Sequence, residues 1–205
     1  MKVILLNGSP KSKGCTYTVL KIIENELINE GIEVKFYEVG NKPVIGCTGC
    51  TACRKLGKCV HDDLVNEVSK EIESADGFIV GSPVHYAAAS GAATSFLDRL
   101  FYSTDKNQLR HKFGASIVSC RRGGASATFD QLNKYFTINE MPIVSSVYWN
   151  QIHGNTPEEV VQDLEGVRTM KVLARNMAYL IKCKEAAKNV PLPKLVPVER
   201  TNFIR

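Results

Sequence analysis

Lys2-Val3-Ile4-Leu5-Leu6-Asn7-Gly8-Ser9-Pro10-Lys11-Ser12-Lys13-Gly14-Cys15-Thr16 is the stretch that decides the fold. It opens on an apolar run that ends in turn chemistry, the pattern of a strand buried on both faces. After it, Val19, Leu20, Ile22, Ile23, Leu27 and Ile28 recur with a helical period to about Glu30, and Gly31 stops the helix. Glu33 to Tyr37 then alternates as a second strand. The three elements make one β-loop-α-β unit with a right-handed crossover.

The alternation continues along the chain. Asp62 or Asp63 caps a helix carrying Leu64, Val65, Val68 and Ile72. Phe78 to Gly81 reads as a third strand and Ser82-Pro83-Val84-His85-Tyr86 as its loop. Ser90 starts a helix with Phe96, Leu97 and Leu100 on its apolar face. Phe113 to Ser119 is a fourth strand, followed by the loop Cys120-Arg121-Arg122-Gly123-Gly124 and a helix from Ser126 to Phe136. Ile143 to Val147 reads as the fifth strand, with Pro142 tolerated at its start. Thr156-Pro157-Glu158-Glu159 supplies an N-cap, a first-turn proline and the glutamate of a capping box. The helix it opens is expected to be interrupted near Gly166 and to run to about Lys184.

Five strands alternating with helices predict an α/β domain: a five-stranded parallel sheet between two helical layers. Residues 1–189 are expected to form this domain, with a cysteine loop at 46–59. Residues 190–205 carry Pro191, Pro193 and Pro197 and read as a C-terminal arm, either a tail or a clasp on another subunit through Phe203 and Ile204.

The composition, 205 residues with 44% hydrophobic and 23% charged, suits a globular domain that folds without disulfides. No apolar run reaches the roughly 18–20 residues of a membrane span, and no small-residue cleavage site follows the first apolar run. A cytoplasmic location is therefore expected, where clustered cysteines serve metals or catalysis. The net charge of +5 is dispersed, and no basic stripe carries interleaved aromatics, so nucleic acid is not an expected partner. The charge favours anionic small molecules and acidic partners.

In an open parallel sheet, ligands bind at the carboxyl ends of the strands where the strand order reverses. With order 2-1-3-4-5, that crevice lies between strands 1 and 3, and three loops face it. In the first, backbone N–H groups at a helix start, with the Ser9 and Thr16 hydroxyls and Lys11 and Lys13 nearby, suit a phosphate. This loop is neither G-x-x-x-x-G-K-[ST] nor G-x-G-x-x-G, which disfavours a nucleoside triphosphatase or a Rossmann dinucleotide site. The second loop, 82–86, offers backbone groups and Tyr86 to a flat ring; His85 by itself reads as a surface histidine. The third offers Arg121 and Arg122 to an anion or an electron-rich ring, with Gly123 and Gly124 permitting close backbone approach. Together the three suit flavin mononucleotide (FMN).

Four of the seven cysteines, Cys47, Cys50, Cys53 and Cys59, are spaced C-x2-C-x2-C-x5-C. Thiolates at such spacing hold soft metals and iron–sulfur clusters, whereas structural zinc more often uses two separated C-x2-C knuckles. Gly46, Gly49 and Gly57 let the loop wrap closely. A [4Fe–4S] cluster, an empty or oxidised motif and a zinc site all remain open on spacing alone. Cys183 reads as a core residue; Cys15 and Cys120 lie in the crevice loops as packing or reactive thiols. Tyr148-Trp149-Asn150, with His153 and Gly154, reads as lining the pocket, as a subunit contact, or as core aromatics closing the sheet.

Gly8-Ser-Pro-x-x-x-Gly-x-Thr16, Gly81-Ser-Pro-Val-x-Tyr86 with Phe96-Leu-Asp-Arg99, and Ser119-Cys-Arg-Arg-Gly-Gly124 resemble the flavodoxin-like NADPH-dependent FMN reductases. The cysteine spacing is similar to that of the family's iron–sulfur flavoprotein branch. The resemblance covers about residues 1–185. It implies a flavodoxin-like three-layer sandwich, bound FMN and a homodimer or homotetramer. It also implies a phosphate loop of Ser9, Lys11, Lys13, Gly14, Cys15 and Thr16, and ring contacts from Pro83, Val84, His85, Tyr86 and Ser119, Cys120, Arg121, Arg122, Gly123 and Gly124. It departs at Cys15, where relatives often carry Asn.

The expected function is an oxidoreductase in which FMN takes a hydride from NAD(P)H and passes electrons to a small acceptor. A cluster on the four cysteines would add single-electron transfers. No side chain is assigned as a catalytic acid or base, because the flavin carries the chemistry. Two other readings stand beside it. One is an electron-transfer flavoprotein fed by an acidic ferredoxin without NAD(P)H turnover; the other is a zinc-stabilised binding module without flavin.

Overall fold

The computed structural model describes residues 1–197, 199, 201 and 203. Strand β1 (Lys2–Asn7) lies between β2 (Glu33–Glu38) and β3 (Gly77–His85), and β3 continues to β5 (Phe113–Cys120) and β6 (Gln151–His153). These five strands are parallel, in the order β2-β1-β3-β5-β6. A sixth, β4 (Ala88–Ala89), pairs antiparallel with the end of β3.

The side-chain alternation of a strand divides the core in two. Ile4, Leu6, Phe78, Val80 and Val118 point to one face, covered by α3 (Leu64–Ile72), α4 (Gly91–Ser103) and α6 (Ala125–Thr137). Val3, Leu5, Ile79, Ala115 and Ile117 point to the other, covered by α1 (Cys15–Asn29) and α8 (Leu164–Ala186). Three one-turn helices, α2 (Cys53–Leu56), α5 (Lys106–Leu109) and α7 (Pro157–Val160), complete the chain order. The result is the flavodoxin-like α/β sandwich. No described helix is long and apolar enough to cross a membrane.

The sequence reading is corrected in four places. The stretch after Gly81 is not a loop: β3 runs to His85, turns at Tyr86 and Ala87 and returns as β4. Tyr86 and Ala87 both have positive φ, 52° and 58°, the backbone of the tight turn that joins right-twisted strands.

The fifth parallel strand is β6, not Ile143 to Val147. Only the start of that stretch follows β5: the Gly114 N–H donates to Pro142 O and the Val144 N–H to Gly114 O. The chain then swings outward and returns at Asn150. That residue is 1% exposed; its Nδ2 donates to Ser116 O, and its carbonyl accepts from the Val118 N–H. Asn150 thus satisfies the edge of β5 across the excursion. Tyr148 and Trp149 ride on it, each 52% exposed, so they do not close the core.

The last helix is broken at 161–163 rather than at Gly166, because Asp163 caps α8 by accepting from the Gly166 N–H. Cys183 is exposed on α8, not buried.

Candidate functional site

The carboxyl ends of β1, β3, β5 and β6 surround one open cleft of about 160 Å³. Its floor is fixed by close backbone approach. The Gly8 N–H donates to Gly81 O and the Ser90 hydroxyl to Gly8 O. A Cβ on Gly8 would lie 2.7 Å from Ala93 Cβ and 2.9 Å from Gly81 O, so the first loop can leave β1 along this path only with glycine there.

From the first loop, Ser9, Pro10, Lys11, Gly14, Cys15 and Thr16 line the cleft; Lys13 is on the same loop, exposed. Gly14 caps α1 without a side-chain hydrogen bond, and the first turn carries no acid. Its N–H groups and the positive end of the helix dipole therefore face the cleft beside the Lys11 ammonium, which fits an anion. The Ser9 hydroxyl accepts from the Lys11 N–H. The Thr16 hydroxyl is turned inward and shares a hydrogen bond with the Ser119 hydroxyl at 2.8 Å, tying α1 to β5. Burial pushes the Cys15 thiol up from its ordinary value, against the pull of its own backbone N–H and Lys11. Cys15 is a neutral wall of the cleft, with its Sγ 3.8 Å from Gly154 O.

Pro83, Val84 and His85 line the opposite wall, with Ser119 and Arg121 between. Tyr86 stands fully exposed at the hairpin tip. Cys120 is a core residue whose thiol donates to Gly123 O at 3.0 Å. Arg122 and Gly123 are exposed outside the wall. Gly124 has φ 91°, and a Cβ there would stand 2.7 Å from Ala87 Cα, so the third loop packs directly on the turn of the hairpin. Gly154 and Asn155 complete the wall. Asn155 was missed because the fifth strand was placed before Tyr148; the carboxyl end that meets the cleft is His153.

A second, small cavity of about 20 Å³ is lined by all four clustered cysteines together with Val60, Arg99 and Ser103. Cys47 and Cys50 are exposed at its lip, and Cys53 and Cys59 are half-buried. Among the described residues no three His, Cys, Asp or Glu side chains are gathered as the ligands of a single ion. The loop carries little regular structure beyond α2, and Gly49, Thr51 and Gly57 all have positive φ. Its inner side is fixed by neighbouring helices. Asn66 of α3 brackets Cys59, accepting from its N–H at 2.9 Å and donating to its carbonyl at 3.0 Å. Arg99 of α4, 1% exposed, donates from Nε to Cys59 Sγ at 3.2 Å, and its two terminal nitrogens grip the Asp63 carboxylate at 2.6 and 2.9 Å. Burial works to raise the Asp63 carboxyl, but its hydrogen bonds from Arg99 and the Val65 N–H hold it below its ordinary value. Ser103 is also on this wall, and its Oγ is buried with no hydrogen-bond partner. Four soft thiols, a cationic donor on one of them and an unpaired hydroxyl fit an anionic thiolate–sulfide cluster. The sequence showed Arg99 only as a motif residue on an apolar helix face, and Ser103 not at all.

Comparison with known proteins agrees with this arrangement. The family model for NADPH-dependent FMN reductase matches residues 1–156. An iron–sulfur flavoprotein of Methanocaldococcus jannaschii is 32% identical over 189 residues, covering 89% of this chain and 98% of the relative. Among solved structures, RosB with a bound 8-demethyl-8-formylriboflavin-5'-phosphate intermediate superimposes with a TM-score of 0.71 at 15% identity, covering 100% of this chain and 92% of that one. An archaeal flavodoxin gives 0.59 at 17% identity, covering 89% and 99%. At these identities the two structures speak for the fold.

Proposed function

Because the chain belongs to the NADPH-dependent FMN reductase family and, within it, to the iron–sulfur flavoproteins, we propose that it is an FMN-dependent oxidoreductase with a [4Fe–4S] cluster beside the flavin. The observation that carries the flavin reading is the single cleft into which the unblocked N-terminus of α1, Lys11, the Pro83–His85 strand end and Arg121 converge. When bound, FMN supplies hydride acceptance from NAD(P)H, and a cluster supplies one-electron transfer.

The chain's own residues bind and orient. The first turn of α1 and Lys11 hold the phosphate. Pro83, Val84 and His85 offer one edge to the ring, with Ser119 and Arg121 on the other side, and Gly124 locks the hairpin against the third loop. Cys47, Cys50, Cys53 and Cys59 would hold the cluster. A small electron acceptor, an acidic ferredoxin as alternative donor, a homodimer or homotetramer and a cytoplasmic setting belong to the same proposal. The net charge of +5 supports the acidic partner.

The test is steady-state NAD(P)H oxidation with a quinone by the FMN-loaded protein. Turnover that requires FMN is expected. Rapid reduction by ferredoxin with no NAD(P)H turnover would replace the NAD(P)H reading with electron transfer. A colourless protein that takes up zinc but no FMN would leave only the binding module.

A further inference from the structure

Two buried polar side chains of α4, Arg99 and Ser103, stand on the wall of the cysteine cavity, four residues apart and so on one helix face. Arg99 is held by several acceptors at once. Its terminal nitrogens are engaged by Asp63, by His61 O at 3.2 Å and by Ile45 O at 3.4 Å. That leaves Nε–H aimed at Cys59 Sγ. The planar fork makes this division of donors possible; a lysine ammonium in its place could not grip the carboxylate and reach the sulfur with the same geometry. Ser103 is 8% exposed, and its Oγ has no partner within the protein. A buried hydroxyl left unpaired is costly, and an acceptor in the cavity that Ser103 lines would relieve that cost.

We propose that Arg99 and Ser103 are positioning residues that donate hydrogen bonds to the sulfur atoms of the centre held by Cys47, Cys50, Cys53 and Cys59, and so raise its reduction potential; this rests on the cluster reading above. Reduction adds one negative charge to a site that is already anionic. A fixed cation and a fixed O–H dipole stabilise that charge more than they stabilise the oxidised form, so the equilibrium moves toward reduction. Asp63 has a second task beyond capping α3: it holds the guanidinium so that only Nε meets the sulfur. Neither residue touches the flavin cleft, so the effect should be confined to one of the two centres.

The experiment uses the full chain, purified anaerobically, as wild type, Ser103→Ala and Arg99→Lys. Iron and sulfide are counted first. The midpoint potential of the cluster is then followed by electron paramagnetic resonance during dithionite titration, and that of the flavin by visible absorption in the same samples. Arg99→Lys is expected to shift the cluster's one-electron equilibrium toward oxidation by roughly tenfold, about 59 mV. Ser103→Ala should shift it in the same direction by less, with the flavin potential unmoved in both. Ser103→Ala removes one atom from a helix end and keeps the test valid if Arg99→Lys fails to fold. Full iron content with an unchanged cluster potential in Ser103→Ala would overturn the assignment of Ser103, and in Arg99→Lys that of Arg99. A wild type with flavin but no iron would overturn the cluster reading itself, an outcome the iron count separates from the other two.

Discussion

The cleft and the cysteine loop lie on the same polypeptide but are built in opposite ways. The cleft is made by the sheet. Its loops leave parallel strands at fixed points, and its glycines sit where a Cβ would strike neighbouring atoms, as at Gly8 against Ala93 and at Gly124 against Ala87. Even its inner hydroxyls, Thr16 and Ser119, tie elements together. The cysteine loop has almost no ladder of its own and hangs on Asn66, Asp63 and one buried guanidinium. A site formed by the fold should hold its shape when empty. A site hung on a few side chains should depend on those side chains and on its ligand.

The largest expected effect is on the second kind of site. Arg99→Ala empties a buried position and unpairs Asp63, whose side chain is 42% exposed; it should cost about 3 kcal/mol, mostly through lost packing, read as a lower urea midpoint. The amide protection of residues 46–59 should be lost while FMN still binds. Equal loss of FMN and of loop protection would break the distinction between the two regions.

The next effect is on the first kind of site. Gly124→Ala places a side chain at φ 91° and 2.7 Å from Ala87 Cα. It should cost about 2 kcal/mol and weaken FMN more than tenfold by fluorescence titration, with the iron content unchanged. Lys11→Ala should weaken FMN by roughly tenfold, as expected for loss of one charged hydrogen bond, and should flatten the salt dependence of binding without altering thermal stability.

The smallest effect lies outside both sites and calibrates them. The Lys2 ammonium bonded to Glu71 holds that carboxyl below its ordinary value and joins β1 to α3. A lowered acid contributes stability above the unfolded glutamate value, about 4.3, and loses it as pH falls through the folded value. Glu71→Gln should therefore cost less than about 1 kcal/mol at neutral pH. The two urea midpoints should converge as the solution is acidified.

The parts legible in the sequence were those that depend on local pattern. The run Val3 to Leu6 is apolar on both faces because helices cover both sides of the sheet, and that alone marks a central strand. Asp63, Ser90 and Thr156 cap helices where their positions said they would. What was hidden depends on pairing at a distance. Ile143 to Val147 has the composition of a strand, but Asn150, a polar residue, takes over the edge of β5 and moves the last strand to Gln151–His153. That shift also moved the end of the cleft from Tyr148 to Gly154 and Asn155. Arg99 sits among Phe96, Leu97 and Leu100 in the helix, and nothing in its neighbours announces that a cation there is buried against a cysteine.

The central claim is that one chain carries a flavin cleft made by its sheet and a separate thiolate centre. The most direct measurement is an absorption spectrum of the anaerobically purified protein, with FMN, iron and sulfide counted per chain. The account predicts about one FMN with about four iron and four sulfide, and loss of the iron alone, with the flavin retained, on exposure to air and chelator. A protein that binds no FMN, or one that loses its flavin together with its iron, would contradict it.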